Sequence, residues 1–184
     1  MGDVDGLADE IEEFLTGSKG AAYGDIALVA VLFTDIVAST EHQGRLGPRE
    51  WSRLTDHHDA MVRDILTRHH GREVKTTGDG FLATFNATGQ ALQCAAEILA
   101  HVKNLGLELR AGVHAGDIEV RGNDIAGLLV NIAKRLCDRA APGEVLVSEV
   151  VAGLMVGSTF EFSERGQHEL KGVPGTWRLY AVEG

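Results

Sequence analysis

Cysteine, proline and basic charge are all scarce in this 184-residue chain, and each shortage removes a class of protein. Two cysteines cannot build the disulfide framework of a small secreted domain, and Cys94 and Cys137 both fall in apolar helical patterns, so they read as reduced core thiols. Proline occurs three times, and Pro48 and Pro142 lie where helical patterns begin or turn. Lys and Arg number 17 against 27 Asp and Glu, giving a net charge of −10 and a pI near 5.2. That balance argues against nucleic acid as a partner, because phosphate backbones demand clustered cations. A small anion held by a few placed cations remains compatible with it. The longest apolar run, Ile26–Phe33, is far too short for a transmembrane segment. No basic n-region with a cleavable apolar segment opens the chain, so the expectation is a soluble, cytoplasmic protein.

What is present has a clear order. Residues 5–16 pattern as a short amphipathic helix with Leu7, Ile11, Phe14 and Leu15 on one face, and Gly17–Gly24 reads as a linker. The expected organisation is therefore an N-terminal helix and linker over 1–26 and one domain over 27–184. The domain opens with Ala27–Asp35, a continuous β-rich run of the kind buried on both faces. A long helix follows from Pro48, with Trp51, Leu54, His58, Met61, Val62 and Ile65 at helical spacing. Glu73–Thr76 and Phe81–Phe85 are short strands joined by the turn Thr77-Gly78-Asp79-Gly80. A second helix spans roughly 87–105, Leu107–His114 is a strand, and Asp117–Val120 is expected to return after Gly116. A third helix covers about 127–140, and short strands end in Trp177–Val182. The order predicts an α+β fold, a ferredoxin-like βαββαβ core with a C-terminal extension.

Two aspartates stand out. Asp35 closes the first strand and Asp79 occupies the hairpin tip, and in a ferredoxin-like sheet those elements are neighbours. Converging carboxylate oxygens suit Mg²⁺ or Mn²⁺, which keep positions for water and phosphate. Taken singly, each has a commoner role as a turn former or cap. Ile36-Val37-Ala38-Ser39-Thr40 then leads toward a helix, where small residues let backbone N–H groups approach phosphate, although Ser39 or Thr40 equally serves as a plain N-cap. The segment is not a Walker motif. The adjacent pairs His57-His58 and His69-His70 lack zinc-ligand spacing and read as ordinary helix histidines.

The stretches Val31–Thr40 and Val74–Gly80 together closely resemble the class III adenylyl/guanylyl cyclase catalytic domain, in its mycobacterial-type bacterial form. Arg110–Gly116, Asn131–Leu136 and Glu169–Pro174 extend the resemblance, in family order, from about residue 28 to the end. Glu12–Gly17 is similar to the lead-in that precedes such domains in larger chains, which leaves room for a regulatory domain elsewhere. The resemblance implies that Asp35, Asp79 and the Ile36 carbonyl hold two divalent metal ions, Mg²⁺ or Mn²⁺, and that ATP is cyclised to cyclic AMP and pyrophosphate. It implies that Lys75 and Asp124 read the adenine edge, that Asn131 and Arg135 orient the ribose and stabilise the transition state, and that Arg110 and Lys171 grip the β- and γ-phosphates. Ala38, Ser39 and Thr40 would face phosphate. It further implies a homodimer whose composite sites take the metal aspartates from one protomer and the purine and transition-state residues from the other, a monomer being nearly inactive. Ala38 replaces a frequent Gly of the pattern, and Ala126 stands where many relatives carry an aromatic. A guanylyl or dual-specificity cyclase, and a degenerate cyclase domain serving as a nucleotide-binding or dimerisation module, are the alternatives. A diguanylate cyclase is disfavoured, since its characteristic hairpin is missing.

Overall fold

The computed structural model describes residues 26–76, 78–119 and 124–183, so the expected N-terminal helix and linker lie outside the described residues. The apolar run that opens the domain becomes β1 (Ile26–Ile36), and alternation along it explains its central place. Ala30, Leu32 and Ile36 join one apolar cluster while Val29, Val31 and Phe33 join another on the opposite face. β1 is followed by α1 (Ser39–Leu46) and α2 (Pro48–Arg68), where Pro48 occupies the first turn, a position that lacks a helical N–H partner anyway. β2 (Arg72–Thr76) and β3 (Gly80–Phe85) form the expected hairpin, with Gly78 at φ 85° in its turn. α3 (Thr88–Val102) runs into a 3₁₀ turn at Lys103–Leu105, and β4 (Leu109–Glu119) follows.

The first four strands lie in the order β2-β3-β1-β4, with β1 antiparallel to both β3 and β4, which is the ferredoxin-like arrangement. The C-terminal extension is α4 (Asp124–Arg139), β5 (Val145–Ser148), α5 (Glu149–Leu154), β6 (Glu161–Glu169) and β7 (Thr176–Glu183). β5 pairs parallel to β4, and β7 and then β6 complete a seven-stranded sheet. α2, α3 and α5 pack on one face through Val62, Ile65, Leu66, Leu92, Ile98 and Val151. α4 covers the other face through Leu129, Val130, Ala133 and Cys137 on one side and Ile132 and Leu136 on the other. Each fully buried aliphatic side chain contributes about 1.5–3 kcal/mol.

One expectation fails. Asp117–Glu119 do not turn back after Gly116, because β4 runs straight through and pairs Gly116 with Val29 of β1. Gly116 serves a different need: a Cβ there would sit 2.7 Å from Cδ2 of Leu129, so the missing side chain lets α4 settle on the strand. Both cysteines are buried and unpaired, and burial pushes each thiol up to about 12, as expected of inert core thiols. Among the described residues no helix is long and apolar enough to cross a membrane.

Candidate active site

Register brings the two aspartates together. Asp35 pairs with Gly80 of β3 on one side and Arg110 of β4 on the other. Asp79 immediately precedes Gly80, and its carbonyl accepts the Ile36 N–H at 3.3 Å. The buried Thr34 hydroxyl accepts the Phe81 N–H at 3.2 Å, fixing the hairpin beside the end of β1. Arg110 answers the carboxylate directly, with Nη2 at 2.5 Å and Nε at 3.1 Å from Asp35 Oδ2. Its Nη1 donates to the backbone carbonyl of Asp138 at 2.9 Å. Burial raises the Asp35 carboxyl above the usual carboxylate range; the Arg110 hydrogen bonds lower it, and the charge of Asp79 adds to the rise. Two carboxylates therefore share a partly desolvated corner that Arg110, with a smaller contribution from Lys134, only partly balances.

The segment after Asp35 takes a sharp corner. Ala38 stands at φ 53° and ψ 35°, in the left-handed region, as the N-cap of α1. Neither Ser39 nor Thr40 is that cap, and no side chain caps the helix. The left-handed conformation gives a physical reason for Gly in the resembling pattern, since an alanine there costs on the order of 1 kcal/mol.

A second group forms on α4 and the β6–β7 loop. Asn131 and Arg135 lie one helical turn apart on α4 and are both half-buried. Arg135 Nε donates to the Lys171 carbonyl at 2.9 Å, and a Cβ at Gly172 would lie 3.7 Å from Asn131 Nδ2. Leu170 and Val173 are buried in the apolar cluster beneath, so the loop is anchored rather than loose. Around it opens a cavity of about 540 Å³ lined by Glu169, Lys171, Gly172, Gly175 and Thr176 among others. Arg135 Nη1 also reaches Asp138 Oδ2 at 3.3 Å, while Lys134 Nζ reaches Oδ1 at 2.5 Å. Asp138 was not legible as a site residue, although its spacing of three from Arg135 and four from Lys134 on a helix signals the contacts.

Lys75 is half-buried on β2 and in register with Leu82 of β3. Asp124 opens α4, but its side chain, like that of Ala126, lies outside the described residues, as does Thr77. The histidines go elsewhere. His58 is buried against Phe81 with Nδ1 3.0 Å from Asp59, and His69 Nε2 lies 2.6 Å from Glu97 Oε2.

The chain is similar to known proteins in sequence and in fold. "Putative adenylate cyclase 3" of Rhizobium meliloti is 30% identical over 155 residues, covering 79% of this chain and 26% of that protein. The curated relatives this chain matches are longer, and it spans about a quarter to about half of their length. The crystal structure of the adenylyl cyclase CyaB from P. aeruginosa superposes with a TM-score of 0.78 at 22% identity, covering 87% of this chain and 95% of that one. The guanylate cyclase domain of RhGC from Catenaria anguillulae, in complex with GTP, gives 0.75 at 20% identity over 88% and 99%. The model of the adenylate and guanylate cyclase catalytic domain matches residues 22–184, and the chain belongs to that family.

Proposed function

We propose that the chain is an adenylyl cyclase, forming 3′,5′-cyclic AMP and pyrophosphate from ATP at composite sites of a homodimer. The observation that carries this reading is the register that sets Asp35 and Asp79 side by side with Arg110 opposite. The donor set suits a hard divalent cation. Asp35 offers Oδ1, since its Arg110 bonds fall on Oδ2, and the Asp79 carboxylate and Ile36 carbonyl complete a set of oxygens. Among the described residues no three His, Cys, Asp or Glu side chains converge, so water and phosphate oxygens would fill the remaining positions. Two Mg²⁺ or Mn²⁺ ions bound there would lower the pKa of the ribose 3′-hydroxyl and balance triphosphate charge.

The protein's own groups then position the reaction. Arg110 exchanges its hold on Asp35 for the β- and γ-phosphates, and its planar fork matches their oxygens. Backbone N–H groups of Ala38, Ser39 and Thr40, at the start of α1, face phosphate. The base is read by the partner protomer, whose Lys75 donates to adenine N1 and whose Asp124 accepts from the 6-amino group. From the partner protomer, Asn131 orients the ribose, Arg135 bonds the α-phosphate oxygens and Lys171 adds charge to the triphosphate. The 3′-oxygen attacks the α-phosphorus in line as the bond to the bridging oxygen breaks and pyrophosphate leaves.

Incubation of the chain with ATP and Mn²⁺ or Mg²⁺ should yield cyclic AMP and pyrophosphate in equal amounts. Asp79→Ala should lower the rate about 1,000-fold, equivalent to about 4 kcal/mol of barrier. GTP is the decisive competitor. Guanine inverts the donor and acceptor at the Lys75–Asp124 edge, so turnover of ATP should exceed it by about tenfold or more. Faster turnover of GTP would reverse the substrate assignment, and an Asp79→Ala chain of full activity would sink the metal site.

A further inference from the structure

We propose that Asp138 is a positioning residue that holds Arg135 in its reactive orientation, an assignment that rests on the cyclase reading above. Arg135 is clamped at two points on different sides of its guanidinium: Nε donates to the Lys171 carbonyl and Nη1 to Asp138 Oδ2. Nη2, which lies between those two contacts, is left to meet an incoming phosphate. Lys134 fixes the Asp138 carboxylate from its other oxygen, so the acceptor is itself held. A long arginine side chain loses much rotamer freedom on ordering, and a clamp made before substrate arrives removes that loss from the reaction barrier.

The position of Asp138 argues against a role in stability. It is the penultimate residue of α4, where a carboxylate opposes the negative end of the helix dipole. Its partners precede it in the helix, the weaker orientation for such ion pairs. Its side chain is 34% exposed, so the pairs gain little from desolvation. A residue that does little for the helix yet orders the proposed transition-state arginine is placed for positioning.

Asp138 also touches Arg110: its backbone carbonyl accepts a hydrogen bond, and its carboxylate adds a weaker charge interaction. Side-chain replacement therefore keeps every hydrogen bond that Arg110 makes, including those to Asp35, and acts chiefly on Arg135 and Lys134. The two arginines serve different composite sites of a dimer, since Arg110 acts with the metal aspartates of its own chain and Arg135 with those of the partner. The assignment thus predicts in which half-site an Asp138 defect resides.

Asp138→Ala should lower kcat about tenfold, with KM for ATP within about twofold and the melting temperature unchanged or raised. Asp138→Asn, which keeps an acceptor, should recover part of the loss. Mixing then locates the defect. An equimolar mixture of Asp35→Ala and Arg135→Ala chains is the control, and should regain about a quarter of wild-type activity, because half the dimers have one intact site. Asp138→Ala chains should be complemented to the same level by Asp35→Ala chains. With Arg135→Ala chains they should show no gain over their own activity. The reverse pattern would place the defect in the Arg110 half and overturn the assignment, as would an unchanged kcat or a lowered melting temperature with kcat and KM altered together. Failure of the control alone would instead remove the composite-site reading and the assignment with it.

Discussion

The two faces of the sheet are covered by different means. On one, α2, α3 and α5 bury a broad cluster of Leu, Ile, Val and Phe that interdigitates in the usual manner of a protein core. On the other, α4 lies so close that a Cβ at Gly112 would come within 2.2 Å of the Cys137 nitrogen and 2.4 Å of the Ala133 carbonyl oxygen. Helix backbone meets strand backbone there. The same helix carries Asn131, Arg135 and Asp138, and the strand beneath carries Arg110. Aliphatic packing tolerates small shifts, since side chains change rotamer. A backbone-to-backbone contact has no such freedom, and it fixes the distance between Arg110 on β4 and the charged end of α4. One face supplies depth, the other supplies position.

The sharpest way to break this contrast is Gly112→Val. The added side chain meets backbone atoms that cannot rotate away, so α4 must lift from β4. We expect a loss of about 4 kcal/mol in stability and of cyclase activity even in the folded fraction. Denaturant unfolding and turnover at a temperature well below the transition measure the two. Leu92→Ala on α3 tests the opposite face. It removes a fully buried side chain and should cost about 3 kcal/mol, while kcat per folded molecule stays unchanged. Equal damage to kcat from both substitutions would erase the distinction between the faces.

Much of this was readable from residue patterns, and the failures share a cause. The apolar run of β1, the Pro48 start of α2 and the turn around Gly78 follow local rules, and the structure has each where those rules put it. The order of elements gave the ferredoxin-like core, and the structure has its strand order. The turn expected at Gly116 is absent because a glycine's local signal is conformational freedom, whereas its role here is to admit Leu129 from a helix. The ion pair of Asp35 with Arg110 joins residues 75 apart, and only the β1–β4 register sets them opposite. Ala38 was visible as a departure, but its left-handed φ is a tertiary fact. The purine-reading pair stays a proposal, with Lys75 on an edge strand and the Asp124 side chain outside the described residues.

The smallest effect concerns a polar pair within the α4 face. His114 on β4 is 4% exposed, its Nδ1 lies 2.7 Å from the buried Ser148 hydroxyl, and Trp177 meets its ring edge-on with centroids 5.6 Å apart. Burial depresses the imidazole to about 4, from about 6.5 in an unfolded chain. The folded state thus favours the neutral ring, and the unfolded state takes up the proton first as pH falls. The stability from keeping it neutral is fully present above pH 6.5 and is lost as pH drops toward 4. Between pH 7.5 and 4.5 this amounts to roughly 2–3 kcal/mol. His114→Gln keeps a partner for Ser148 without a titrating group, so its unfolding free energy should decline less across that interval, by about the same amount. His58, likewise depressed by burial, titrates in both proteins and cancels in the difference. Parallel pH profiles for the two would mean that a charged imidazole finds a partner beneath α4, and that this face is looser than its backbone contacts at Gly112 require.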